Sequence, residues 1–272
     1  MLRLGLKVLI DRRAWAFILL ALTDFQMSLM DSKPMRLIGR GTLALAMLLP
    51  LNAGAQQPAQ SSTAGPRSFS VVVLDPGHGG KDNGGTSGSR GPYFVREKDV
   101  TLDTALRVRD LLKRAGIRTL MMRQDDRFIE LDDRVAFANR QGRGAILVSI
   151  HYNATGSSAP NGVQTFFWHA NSHGLATRIQ RHVVAETGET SVGVTRRRLR
   201  LTRNPEIPCV LCECAYLTNP AELRKVVNPS YRQRIADGIA KGIIEQNRLG
   251  DAGIPCVPEI WAPMSKASDR RE

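Results

Sequence analysis

The most constraining feature of this chain is an alternation between short, apolar, β-branched runs and longer segments in which apolar residues recur at helical spacing. The clearest runs are residues 71–74 and 145–150, and a helical pattern covers 100–115 and closes at Gly116. Strands covered on both faces carry continuous apolar runs instead of alternating ones. The pattern therefore predicts an α/β fold, a single domain with a twisted, mostly parallel sheet flanked by helices on both faces.

The remaining runs continue the same alternation. Asn219 is the expected N-cap of one helix, because an asparagine side chain accepts hydrogen bonds from the free N–H groups of the first turn. No internal repeat or linker interrupts residues 68–249, so we expect them to form one domain. The further predicted strands are 117–122, 163–168, 199–202 and 209–215, and the further predicted helices are 131–141, 172–186, 220–227 and 231–249.

The N-terminal residues are typical of a leader. A basic start follows Met35, an apolar run of about ten residues comes next, and residues 53–55 (Ala-Gly-Ala) are typical of a cleavage site. The run is shorter than the ~20 residues of a membrane-spanning helix. We therefore predict a leader over 1–55, with the true start at Met35 and a signal peptide at 35–55. The alternative is a genuine extension over 1–34 whose apolar stretches anchor the protein.

Export to the periplasm follows from that leader, with no stable membrane span after signal cleavage. Residues 56–67, rich in Gln, Ser, Ala and Pro, are typical of a linker, and 250–272, with three prolines, of a flexible C-terminal tail. The formal charge of +13 favours anionic partners such as nucleic acid, anionic lipid or an acidic cell-wall polymer. Export and the lack of interleaved aromatic residues disfavour nucleic acid. The densest basic run, 196–200, is either a solvated edge or a contact for an anionic substrate.

Four cysteines leave several interpretations open. Cys209-x-x-Cys212 resembles half of a zinc ribbon, but no second pair follows. Residues two apart on a strand share a face, so Cys212 and Cys214 should point to one side of the predicted strand at 209–215, opposite Cys209. We expect small, buried, apolar cysteines, as free cysteines often are. A disulfide to Cys256 depends on distances that a sequence does not give.

Four polar residues stand where a metal-dependent hydrolase would need them. His78 lies in a glycine-rich loop after the first strand, His151 directly follows its strand, and Glu213 lies near the end of another. Sites in open α/β sheets form beyond the carboxyl ends of strands. A catalytic zinc takes three protein ligands, which His78, Glu97 and His151 can supply. Glu213 is then the candidate for the base and acid that amide hydrolysis needs.

Each of these residues also has a purely structural interpretation. A histidine in a glycine loop is more often structural, Glu97 alone is most simply an acid favoured at a helix start, and Glu213 alone is a costly buried acid. The loop is not a Walker loop and lacks the dinucleotide-binding pattern, because position 82 is Asp. We interpret three further histidines as surface residues, the first of them a candidate for substrate contact: His169, His173 and His182.

Two aspartates flank the loop that carries His78. Asp75 and Asp82 could orient a ligand imidazole, as carboxylates behind metal ligands often do.

Taken together, these motifs resemble the zinc-dependent N-acetylmuramoyl-L-alanine amidases of the bacterial cell wall, the amidase-3 family. The resemblance runs from about residue 71 to 244, nearly the whole predicted domain. Its motifs are Leu74-Asp-Pro-Gly-His-Gly-Gly80, Glu97-Lys98, Arg123-x-x-Asp126, Leu131-x-x-Arg134, Ala138-Asn139, Ser149-Ile-His-Tyr-Asn153 and the segment 208–219.

That resemblance implies that His78, Glu97 and His151 bind Zn²⁺, that Glu213 is the catalytic glutamate, and that 68–249 is the amidase catalytic domain. The implied reaction is hydrolysis of the amide between N-acetylmuramic acid and the L-alanine of peptidoglycan stem peptides, in wall remodelling, daughter-cell separation or recycling. Two hypotheses stand beside it. One is a related zinc amidase or peptidase acting on soluble muropeptides, and the other is a non-catalytic wall-binding protein on the same scaffold.

The chain departs from the family pattern around the glutamate. Cys212 and Cys214 stand where relatives usually carry an aliphatic residue and glycine, and Tyr216 replaces the usual phenylalanine. Some relatives carry a long helical insertion that blocks the site until a partner removes it. The elements predicted between His151 and Glu213 consume most of that stretch, so we predict no large blocking segment, and a protein activator stays an open question.

Overall fold

The computed structural model describes residues 69–88 and 93–257. In these ranges six strands form one sheet in the order β2-β1-β3-β6-β4-β5. Every pairing of these strands is parallel except the antiparallel β4–β6 pair, so the predicted mostly parallel sheet is confirmed. The strands are β1 (Val71–Pro76), β2 (Arg118–Met121), β3 (Ala145–Asn153), β4 (Val163–Phe167), β5 (Ser191–Arg196) and β6 (Cys209–Tyr216).

Helices cover both faces of this sheet, as predicted. Alternate residues of a strand point to opposite faces. Val72 and Leu74 of β1 pack in the core with α1, α3 and α6, whereas Val71 and Val73 pack on the side of α2 and α4. No helix of the described residues is long and apolar enough to cross a membrane. The helices are α1 (Glu97–Arg114), α2 (Leu131–Asn139), α3 (His173–Thr187), α4 (Arg200–Arg203), α5 (Pro220–Val226) and α6 (Pro229–Leu249).

The structure corrects one predicted strand. Residues 199–202 were expected to be extended, but α4 begins at Arg200, and β5, where no strand was predicted, forms one edge of the sheet. Leu199 and Leu201 suggest a strand because they lie two residues apart, yet they pack in different apolar clusters. β5 lacks an apolar run because Val192 is exposed at the sheet edge. The predicted N-cap is confirmed, since Asn219 accepts hydrogen bonds from the first turn of α5.

Helices α3 and α6 approach each other closely at two glycines. A Cβ atom on Gly238 would lie 2.6 Å from Cα of Val183, and one on Gly242 would lie 2.7 Å from Cα of Ile179. The end of the domain is also fixed to α3, because the Arg178 guanidinium donates to the carbonyl of Gly250 at 2.9 Å. The predicted leader and linker, and the tail beyond residue 257, lie outside the described residues.

Candidate metal centre and its cavity

Three of the predicted residues lie close together at the carboxyl ends of β1 and β3. β1 and β3 are parallel neighbours, so the loop carrying His78 and the end of β3 carrying His151 lie side by side. Glu97, the first residue of α1, lies between them and is buried. Its Oε2 lies 3.0 Å from His78 Nε2, and its Oε1 lies 3.0 Å from His151 Nδ1.

The Glu97 carboxylate is fixed by backbone donors as well. Oε1 accepts from the N–H of Tyr152 at 2.9 Å, and Oε2 accepts from the N–H of Gly85 at 2.7 Å. A Cβ atom on Gly84 would lie 2.6 Å from Oε2, so this approach requires glycine. Burial alone would raise the pKa of Glu97, but hydrogen bonds and charge from His151 and His78 hold that pKa well below its usual range. The side chain is therefore a carboxylate.

The donor set fits a zinc ion. Ligand atoms of His78, Glu97 and His151 lie within 4.8 Å of one another, and two imidazoles with one carboxylate are a common set for catalytic zinc. Asp82 Oδ2 lies 2.8 Å from His78 Nδ1, which leaves Nε2 directed at Glu97. Burial lowers the pKa of His78, but hydrogen bonds and charge from Glu97 and then Asp82 outweigh it and raise that pKa to about 9.

The loop that carries His78 is held in an unusual conformation. His78 has φ of 60°, the one positive φ at a non-glycine residue in the part of the chain that the structure describes. Such a conformation persists only where the surroundings impose it. Arg134 of α2 does so by donating to the carbonyl of Pro76 at 3.0 Å and to that of His78 at 2.7 Å. The same guanidinium pairs with buried Asp75.

Asp75 therefore does not orient an imidazole, which corrects the role predicted for it from the sequence. It accepts from Arg134 and from the hydroxyl of Ser149 at 2.7 Å, inside the sheet. Of the two aspartates that flank the loop, Asp82 is the one that faces a histidine ring. The error has a simple cause, because the sequence does not show that α2 presents an arginine to the end of β1.

Two more basic side chains hold the loop that carries His78 by donating to its carbonyls. The sequence analysis did not predict this role. Arg123 is fully buried and donates to the carbonyls of Pro76 at 3.0 Å and Gly77 at 2.7 Å. Lys98 donates to the carbonyl of Gly80 at 2.7 Å and to Asp126 at 2.8 Å. Both residues belong to motifs that resemble the amidase family, and this was the sequence feature that could have indicated their role.

Glu213 shares a cavity of about 540 Å³ with the three candidate ligands. β6 pairs with β3 so that Glu213 lies opposite His151 in the ladder. Its Oε2 is buried and has no hydrogen-bond partner among the described residues. Burial, and then the charge of Glu97, raise the pKa of Glu213 well above its usual range. Phe166, Arg197, Leu199 and Leu211 also line the cavity.

The cysteines lie away from this chemistry. Cys212 and Cys214 are buried in the core under α1, α3 and α6, and Cys209 is buried on the other side of the sheet, as predicted. Burial raises the pKa of the Cys214 thiol. All four cysteines are free, so the disulfide to Cys256 is absent. None of these four residues lines the cavity.

The remaining histidines do not line the cavity either. His169 Nε2 donates to the carbonyl of Arg203 at 2.8 Å, so the structure gives no support to a substrate contact. His182 lies 2.6 Å from Glu245 of α6. The stretch between His151 and Glu213, described throughout, forms β4, α3, β5 and α4.

Comparisons with known proteins identify the family of the chain. The family profile described as N-acetylmuramoyl-L-alanine amidase, amidase-3, matches residues 72–245, which include all four predicted site residues. The chain belongs to this amidase family. "Probable cell wall amidase LytH" of Staphylococcus epidermidis is 32% identical over 184 residues, which cover 68% of this chain and 60% of that protein. The chain therefore spans about 60% of the length of the curated relatives it matches.

Solved structures of amidases share the fold. The N-acetylmuramoyl-L-alanine amidase from Clostridium difficile 630 superposes with a TM-score of 0.61 at 31% identity, over 66% of this chain and 97% of that one. The catalytic domain of CwlV, an amidase from Bacillus (Paenibacillus) polymyxa var. colistinus, gives 0.60 at 37% identity, over 64% and 96%. The matching part of this amidase-family chain thus covers nearly the full length of those two solved chains.

Proposed function

We propose that the chain is a zinc-dependent hydrolase that cleaves the amide bond between N-acetylmuramic acid and the L-alanine of peptidoglycan stem peptides. One observation carries the proposal: a buried, unpartnered carboxylate oxygen of Glu213 shares a cavity with the cluster formed by His78, Glu97 and His151. Membership of the amidase family supports the substrate class, and the relatives named above are cell-wall and N-acetylmuramoyl-L-alanine amidases.

In this mechanism His78, Glu97 and His151 would hold the zinc ion. When bound, zinc supplies a Lewis acid that acidifies water and polarises a carbonyl oxygen. Glu213 removes a proton from the attacking water and delivers it to the leaving nitrogen of L-alanine. Burial raises the pKa of Glu213 above that of an exposed glutamate, which favours its taking up the proton that the water loses.

The test is mass spectrometry of purified peptidoglycan digested with residues 56–272, with and without a chelator. We expect intact stem peptides with a free L-alanine amino group, lost on chelation and restored by zinc. Cleavage of soluble muropeptides alone would reassign the enzyme to a smaller substrate. Absence of cleavage from both, with zinc bound, would contradict the proposal and favour a wall-binding role.

We also propose export, with a signal peptide at 35–55 ahead of a catalytic domain at 68–249. The support is the leader sequence and the location of peptidoglycan outside the cytoplasmic membrane. N-terminal sequencing of protein recovered from the periplasm should begin at Gln56. Recovery of a chain that still carries residues 1–34 in the membrane fraction would show that these residues anchor it.

A further inference from the structure

Arg197 occupies a fixed position at the edge of the cavity. It directly follows β5, and its backbone N–H donates to the carbonyl of Phe167 at 2.9 Å. Its own carbonyl accepts from the N–H of Leu199 at 2.9 Å and from the hydroxyl of Thr202 at 3.1 Å. Hydrogen bonds therefore hold the backbone of Arg197 on both sides.

The guanidinium of Arg197 lies over an aromatic ring. Its Cζ lies 5.1 Å from the centre of the Phe166 ring, and its Nε is buried without a partner among the described residues. Arg196, one residue earlier, is satisfied in the ordinary way, because its Nε donates to the carbonyl of Trp168 at 2.7 Å. A buried N–H donor without an acceptor is costly, so the position of Nε in this half-buried side chain calls for an explanation.

Glu213 does not supply the missing acceptor. Both side chains line the cavity, and the positive charge of Arg197 acts to lower the pKa of Glu213 against the larger effect of burial. They nevertheless form no ion pair with each other, and each keeps a buried atom without a partner among the described residues. Besides the acidic Glu213, the cavity therefore contains a positively charged guanidinium. A substrate bound beside His78, Glu97 and His151 could contact it.

We propose that Arg197 binds a substrate carboxylate close to the scissile amide and so selects stem peptides that carry one. The inference rests on the proposed function. A guanidinium is a planar fork that matches a carboxylate, and stacking on Phe166 presents it with little loss of freedom. Peptidoglycan supplies such a group in the free α-carboxylate of the D-glutamate that follows L-alanine. In amidated walls the same position is a neutral carboxamide.

The experiment compares two muropeptides that differ only at this residue, D-isoglutamate in one and D-isoglutamine in the other. We expect the unmodified enzyme to prefer the acid by about tenfold or more in kcat/KM, because a site built for a charged hydrogen bond discriminates against its neutral analogue. Arg197→Gln should abolish the preference by raising KM for the acid, and should still cleave the amide. Arg197→Lys should keep part of the preference.

Arg198→Gln is the matched control, because Arg198 is exposed and does not line the cavity. It should leave the ratio unchanged. An unmodified enzyme without preference would overturn the proposal, and so would an Arg197→Gln variant that loses activity equally on both substrates. Thermal unfolding with and without zinc identifies a variant that has failed to fold, and Arg197→Lys then provides the comparison.

Failure of the proposed function can be told apart from failure of this inference. If neither muropeptide is cleaved, calorimetric binding of L-alanyl-D-isoglutamate and L-alanyl-D-isoglutamine, each with its γ-carboxyl blocked as a methylamide, still tests Arg197. Tighter binding of the acid, lost in Arg197→Gln, would support the carboxylate site. Equal binding of the two peptides would overturn it.

Discussion

The Glu97 carboxylate contacts four groups at once, two imidazoles and two backbone N–H groups. A side chain held this firmly would be a preformed ligand for the proposed zinc ion, since little freedom is left to lose on binding. The sequence identified Glu97 only through its motif. Its individual features, an acid at the start of a helix, also fit an ordinary helix terminus.

Removing the proposed base should separate turnover from metal binding. Glu213→Gln keeps the shape of the side chain but cannot shuttle a proton, so we expect kcat to fall by about 10²- to 10⁴-fold with zinc content unchanged. Kinetics on muropeptides, with metal analysis of the same samples, measure both quantities. Glu206→Gln, at an exposed acid, is the control. Full activity in Glu213→Gln would exclude this residue as the base.

The guanidinium of Arg134 should matter for zinc affinity without touching the metal. Arg134→Lys keeps the charge but cannot reach Asp75 and both carbonyls of the loop together, so His78 should lose its fixed conformation. We expect zinc affinity to fall by about 10- to 100-fold, as for other groups behind metal ligands. Competition with a chromophoric chelator measures it. Arg143→Lys, an exposed change, should have wild-type affinity.

At the scale of elements, buried strands are the part of the fold that the sequence predicts best. β1, β3 and β6 carry continuous apolar runs because both of their faces are covered. β5 escapes prediction because its sequence, SVGVTR, has no continuous apolar run, and it owes its strand conformation to pairing with β4. Asp75 was misassigned for the same kind of reason, since its partner comes from α2.

The contact between α3 and α6 depends on the absence of a side chain. Gly242→Ala would place a methyl group 2.7 Å from the backbone of Ile179, so the helices must separate. We expect the free energy of unfolding to fall by about 1–3 kcal/mol, as in other overpacked contacts. Denaturant unfolding measures it. Ile244→Ala, on the exposed side of α6, should change it by no more than about 0.5 kcal/mol. If Gly242→Ala and Ile244→Ala lowered the free energy of unfolding equally, the close approach of α3 and α6 at Gly242 would not be the cause.

The same pair of helices carries a pH-dependent ion cluster. Burial would raise the pKa of Glu245, but hydrogen bonds from Arg181 and His182 and the charge of Arg178 lower it to about 2. A lowered pKa stabilises the fold above the unfolded value of 4.5 and ceases to do so as pH falls through about 2.

Glu245→Gln should therefore destabilise the chain at neutral pH, and the difference from the unmodified chain should shrink between about pH 4.5 and pH 2. Urea unfolding across this range tests the sign. Glu186→Gln, which removes a more exposed pair with Lys241, should show a smaller difference. If the difference in stability between Glu245→Gln and the unmodified chain increased at acid pH, the lowered pKa of Glu245 would be contradicted.

At the scale of the whole molecule, zinc should act as a stabilising ligand, because its proposed ligands come from the β1 loop, α1 and β3. A ligand that binds only the folded chain adds about 2.7 kcal/mol at a concentration one hundred times its Kd. We expect zinc to raise Tm and a chelator to reverse the rise. Glu97→Gln should abolish the zinc-dependent part. An unchanged Tm at saturating zinc, in a sample shown to bind it, would indicate binding outside the cluster.

The position of β6 has a consequence for how the activity arises during synthesis. This strand carries Glu213 and lies inside the sheet between β3 and β4, and yet it is the last strand of residues 69–88 and 93–257. A nascent polypeptide that ends before residue 209 lacks both the centre of its sheet and the proposed base. A chain with the proposed activity therefore cannot act on its substrate until this strand is inserted into the sheet.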